Sequence, residues 1–190
     1  MLQHALKEWA AICKALALGR QTVILRKGGI DEKTGRFTLE HQLFWLYPTF
    51  LHQKLEGLHP EAEAFFHLSL LGKPPEGQVR LTHFAAVTAV YELHDIVGVY
   101  KLQPEYCWSQ SAVESRFTYG RPGLHALVVR VYRSQRIHEL PETPGYAGCK
   151  SWVELDHPLG TDGAVPVVAD ADFEARSKRI EVALQASAMV

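Results

Sequence analysis

The sequence predicts an α+β fold, a mostly antiparallel and strongly curved sheet with peripheral helices, on three observations. Runs of β-branched and small apolar residues, Thr22 to Leu25 and Val79 to Leu93, read as strands. Helical patterns lie between and after them without regular alternation, which argues against a doubly wound parallel sheet. The chain also lacks an internal repeat, a G-x-G-x-x-G or P-loop motif, H-E-x-x-H and G-x-S-x-G, so the familiar nucleotide, zinc-protease and hydrolase architectures are excluded. With 190 residues, 47% hydrophobic and 22% charged, the expected organisation is one α+β domain over residues 1–165 and a C-terminal helix, 166–190, packed on it.

Taken in order, Leu2, Ala5, Leu6, Trp9, Cys13 and Leu16 recur at three- and four-residue intervals and predict one amphipathic helix, with Gly19 as its left-handed cap. Thr22 to Leu25 follow as a strand that ends on the adjacent cations Arg26 and Lys27, then on Gly28 and Gly29. Residues 37–53 hold the densest aromatic and imidazole patch. Pro48 there predicts a strand, a bend, and a short segment with Thr49, His52 and Gln53. HPEAEAFFHLSLLG predicts a short helix stopped by Gly72, and Val79–Leu93 a long strand kinked or bulged near Ala85. IVGVYKL reads as another extended piece closed by Pro104, and Ser111 with Glu114 has the capping-box spacing of a helix that ends near Gly120. Leu124–Arg133 and SWVEL predict further strands; Arg130, in an otherwise apolar row, needs a partner. The last helix presents Phe173, Ile180 and Leu184.

Charge is uneven although the net is −1. Arg116 to Arg136 contains five arginines and no acid, giving +5, whereas Glu139 to Glu174 sets eight carboxylates against Lys150, giving −7. A basic face implies a polyanionic partner. No apolar run approaches the roughly 18 residues of a membrane span, and MLQHALKEW carries charge where a signal peptide would be apolar. A cytoplasmic protein with no membrane partner is therefore expected. Cys13, Cys107 and Cys149 are odd in number and far apart, as reduced thiols would be.

These features predict a nucleic-acid-binding module. Arg26, Lys27, Arg116 and Arg121 neutralise phosphates, Trp45, Tyr47, Trp108 or Tyr119 stacks on a base, and His52 or Gln53 reads an edge. No catalytic set, metal site or cofactor is expected. His41 and His52 have no partner at metal-ligand spacing. A metal-dependent phosphodiesterase built on Asp31, Lys33 and Asp95 is the alternative from another class, and a protein–protein adaptor using the aromatic patch is a third.

Two resemblances rest on quoted residues. ALKEWAAICKALALGRQTVILRKGGI, HQLFWLYPTFLHQ, RFTYGRPGLHALVVRVYR and YAGCKSWVEL resemble the bacterial family known as domain of unknown function 1802. That resemblance implies a role near DNA restriction and modification, with DNA favoured over RNA and a restriction-type nuclease as a partner. Gly19, Arg20, Thr22, Val23 and Arg26 also match the G-(K/R)-x-T-V-x-x-R opening of ASCH and EVE domains. This second resemblance implies a small PUA-like β-barrel whose cleft binds nucleic acid, in some cases a modified base between aromatic walls.

Overall fold

The structure, a computed structural model, describes residues 1–27, 39–148 and 150–185. Gly28, Gly29, Asp31, Lys33, Phe37 and Cys149 lie outside them. The strands β1 (Leu2–Trp9), β2 (Val23–Arg26), β3 (Leu43–Thr49), β4 (Gln78–Leu93), β5 (Leu124–Pro141) and β6 (Trp152–Leu159) form one sheet in the order β2-β5-β4-β3-β1-β6, with β7 (Val165–Pro166) paired to β5. Among the described residues only β1 and β3 pair in parallel; every other ladder is antiparallel. The helices are α1 (Ala10–Ala17), α2 (Glu63–Leu71), α3 (Ile96–Tyr100), α4 (Gln110–Thr118) and α5 (Asp170–Gln185). The α+β class and the mostly antiparallel sheet are as the sequence predicts. No ladder among the described residues joins β2 to β6, so the sheet is not a closed barrel.

Both faces of the sheet are covered, and β3 shows why its sequence is so aromatic. Phe44 and Leu46 point into the larger core with Ile12, Leu16, Val113, Phe173 and Ile180, while Trp45 and Tyr47 point into a second core with Leu81, Phe84, Tyr146 and Val153. A strand buried on both sides reads as a continuous apolar run, and each such side chain contributes roughly 1.5–3 kcal/mol on burial. Pro48 does not end the strand as predicted: β3 continues to Thr49, with Pro48 opposite Glu8 of β1. On its other side β3 pairs with β4 only from Leu43 to Trp45, so the missing amide of Pro48 interrupts no ladder.

The N-terminal helix predicted from Leu2 onward is corrected to a strand followed by a helix. β1 is sandwiched between β3 and β6, and Leu6 faces the larger core while Ala5 faces the second. Pairing on both sides overrides a spacing that an amphipathic helix also satisfies. The predicted cap is present: Gly19 has φ +64°, its amide donates to Leu16 O at 3.0 Å, and the Arg20 amide donates to Ala15 O at 2.9 Å, the double bond of a Schellman motif.

Further differences are local. IVGVYKL begins as helix α3, because the Asp95 carboxylate accepts from the Val97 amide and starts a helical turn in place of a strand. The cap of α4 is Ser109, two residues before the predicted Ser111; its Oγ accepts from the Ala112 amide at 3.3 Å. β4 carries two bulges, between Leu81 and His83 and between Val87 and Ala89, which bracket the predicted kink. Arg130 finds its partner in Asp170 at the start of α5 and lies 5.1 Å from the Phe173 ring. Phe173 and Ile180 fix α5 to the larger core.

Candidate nucleic-acid interface

The ends of β1 and β2 meet at a charged corner, although β1 and β2 are not neighbours in the sheet. Alternation along β1 places Glu8 on the same face as Leu6, and its carboxylate is buried at 4% exposure. Arg26, the last residue of β2, reaches across to it: Nη1 donates to Glu8 Oε2 at 3.4 Å and to Lys7 O at 3.3 Å, and Nη2 donates to Ser151 Oγ just before β6. One guanidinium thereby links β2 with β1 and with the approach to β6, across the gap that strand pairing leaves open.

Arg116 of α4 lies close enough to feel the charge of the same carboxylate, although among the described residues only Arg26 pairs with it. Its guanidinium lies 3.6 Å from the centroid of the Trp108 ring, a cation–π contact. Burial is the main influence holding Arg116 below the usual guanidinium value; the Arg26 charge acts in the same direction and Glu8 opposes them. Trp108 in turn packs against Trp9 at 4.6 Å. A Cβ at Gly57 would stand 2.7 Å from the Trp9 ring, so only glycine lets that backbone approach. Glu8 also accepts from the Trp9 amide at 2.9 Å through Oε1. The corner thus joins two arginines, one buried carboxylate and two tryptophans, held by β1, β2 and α4.

Lys27 continues from Arg26 toward the turn after α4, where its ammonium donates to Phe117 O at 2.7 Å, Gly123 O at 2.9 Å and Arg121 O. All three donors are occupied by carbonyls. Lys27 therefore anchors the turn that carries Tyr119, 78% exposed, and Arg121, also exposed.

The other predicted binding residues are placed differently. Trp45, Tyr47 and Trp108 are 0%, 2% and 1% exposed, so none offers a ring face to a base in this structure. Trp45 Nε1 donates to Leu2 O, and the Tyr47 hydroxyl donates to Glu142 at 3.2 Å. Burial first, then Glu142, raises the Tyr47 pKa. Gln53 accepts from the Ala11 amide at 2.9 Å, serving the start of α1 where Trp9 supplies no side-chain cap. His52 is exposed at φ +62° and, among the described residues, makes none of the hydrogen bonds or ion pairs of the corner. Asp95 caps α3, and the other two members of the predicted phosphodiesterase set, Asp31 and Lys33, lie outside the described residues. No group of three metal-ligating side chains occurs among the described residues.

Sequence reasoning missed Glu8, Trp9 and Ser151. The signal for Glu8 was available: read with a period of two, His4, Leu6 and Glu8 share a face, which places a carboxylate at the end of a buried strand.

The chain belongs to the family described as Domain of unknown function (DUF1802), whose model matches residues 5–179. No curated protein matches it. Among solved structures, ASCH from Zymomonas mobilis is similar at 15% identity, with 94% of this chain and 93% of that chain covered and a TM-score of 0.48. Two variants of that protein are also similar, one at 15% identity, 80% and 87% coverage and TM-score 0.48, the other at 14%, 82%, 91% and 0.45. No helix among the described residues is long and apolar enough to cross a membrane.

Proposed function

We propose that this protein binds nucleic acid at the Arg26–Arg116 corner, with a strand of DNA crossing the gap between β2 and β6. The observation that carries the reading is a corner where Arg26 pairs with the buried Glu8 and Arg116 lies within the same carboxylate's field, beside an anchored turn that exposes Arg121 and Tyr119. Arg121 supplies a guanidinium for a phosphate, Tyr119 a ring for a base, and the Arg26–Glu8–Arg116 set a rigid floor with one net positive charge. Recognition of a modified base and action beside a restriction-type nuclease rest on the two resemblances alone, and a cytoplasmic setting, supported by the charged N-terminus and the lack of a long apolar run, completes the proposal.

The test is anisotropy with single-stranded, duplex and base-modified DNA and with RNA over a salt series. Binding should weaken steeply with salt. Arg121→Ala should lower affinity about tenfold, and Tyr119→Ala by a similar factor if one base stacks on it. Absence of binding to every probe at low salt would overturn the proposal.

A further inference from the structure

A separate cavity of about 230 Å³ lies between α1, α2 and the β3–β4 pair. Its walls are mainly apolar, with Leu46, Pro48 and Phe50 on one side and Leu68 on another, and its polar groups are Lys14, Ser69, Arg80, Thr82 and His83. No aspartate or glutamate lines it. A small, mostly apolar space with a few convergent polar groups has the character of a ligand site, here somewhat below the usual size and so suited to a small ligand.

The charges around it are not equivalent. Arg80 is held by Glu139 at 2.7–2.8 Å and donates to Gly72 O at 3.4 Å. Lys14, half-buried in the last turn of α1, has no hydrogen-bond or ion-pair partner among the described residues. Lys73 sits at the rim, its ammonium 5.4 Å from the Phe50 ring. His83 Nδ1 lies 2.8 Å from Thr82 Oγ1. Burial, then the positive charges of Arg133 and Lys14, push the His83 pKa down to about 4, so the imidazole is neutral at pH 7. Cys13, the remaining titratable group on the α1 side, is kept as a thiol by burial and by the Glu8 charge. An uncompensated ammonium in an apolar cavity without carboxylates is a site that lacks its counter-ion.

We propose that this cavity binds a small organic anion, with the anionic head on the Lys14 ammonium and a flat apolar body against Phe50 and Leu46. The site stands apart from the Arg26–Arg116 corner and does not depend on nucleic-acid binding. An anion at Lys14 offsets part of the positive field that adds to burial in lowering the His83 pKa, so occupancy raises that pKa and couples binding to proton uptake.

The shared chemistry, an anion on an apolar body, is met by a phosphate monoester or by a carboxylate. The experiment titrates the full chain with phenyl phosphate, benzoate and the neutral benzyl alcohol, following the His83 imidazole C–H resonances by NMR and affinity by calorimetry. At least one anion should shift those resonances and raise the pKa they report, while benzyl alcohol binds about tenfold more weakly or not at all. The better anion identifies the head group. Lys14→Met, which keeps the apolar stem, should lose about tenfold in affinity, and Lys14→Arg should recover most of it. The proposal is overturned if neither anion moves the His83 resonances at millimolar concentration, if benzyl alcohol binds equally well, or if a folded Lys14→Met binds both anions as the parent does.

Discussion

The corner at the end of β2 and the cavity beside α1 are both cationic, yet they use charge in opposite ways. At the corner the two cations that end β2 have internal partners: Arg26 holds Glu8, Lys7 O and Ser151, and Lys27 holds three carbonyls. In the cavity, Lys14 has none among the described residues. Partnered cations hold elements together, and here they bridge two sheet edges that strand pairing leaves apart. A partnerless cation is free to meet a ligand. The presence of adjacent cations in a sequence therefore says less about binding than whether the fold answers them.

The largest test of this contrast is Glu8→Ala. Glu8 and Arg26 show side-chain exposures of only 3% and 14%, and Arg116 feels the charge of the same carboxylate. Removing it leaves the largely buried Arg26 guanidinium without its anion, a change that costs about 3–5 kcal/mol for a buried pair. Urea unfolding should show the loss as a lower midpoint with an unchanged slope. A cost below about 1 kcal/mol would show that the corner is solvated and that Arg26 does not staple the edges.

Acidification probes the cavity more gently. The folded-state pKa of His83, about 4, lies below the ordinary value of 6.5. In that interval the unfolded chain binds more protons than the folded one, so stability is full above about pH 6.5 and falls as pH drops toward 4. His41, His125 and His138 are shifted downward too, chiefly by burial, and add in the same direction. For His83 alone the loss amounts to at most about 3 kcal/mol. Thermal unfolding from pH 7 to 4 should show a falling midpoint, and His83→Gln should flatten the curve. An unchanged slope in that variant would mean that His83 is already solvated and that the cavity field is weak.

What the sequence could reveal of all this follows from how local each feature is. The Gly19 cap, the strand ending on Arg26 and the helix stopped by Gly72 depend on a few adjacent residues and are visible in them. The β1 strand is not, because Leu2, Ala5, Leu6 and Trp9 satisfy a helical period and only β3 and β6 on either side settle the matter. For the site, Arg26 and Arg116 stand out as cations, but their placement around the field of Glu8 joins positions about ninety residues apart and has no local signature. Aromatic density around Pro48 is equally mute about burial: Trp45 is core, whereas isolated Tyr119 is on the surface.

The smallest effect is the most discriminating. Replacing Lys14 by Met keeps helix propensity nearly constant. It removes a favourable interaction with the C-terminal end of α1, worth roughly 0.3–1 kcal/mol, and also removes a half-desolvated charge near His83 and Arg133, which offsets that loss. With no ion pair to break, the net change should stay within about 0.5 kcal/mol, a shift of roughly 1–2 °C in the unfolding midpoint for a chain of this length. Arg26→Met, which breaks the buried pair at the other region, should cost several times more. Equal costs for the two substitutions would erase the distinction between a structural cation and an available one. A cost above about 2 kcal/mol for Lys14→Met would mean that Lys14 is already answered inside the fold, leaving the cavity no free charge with which to hold an anion.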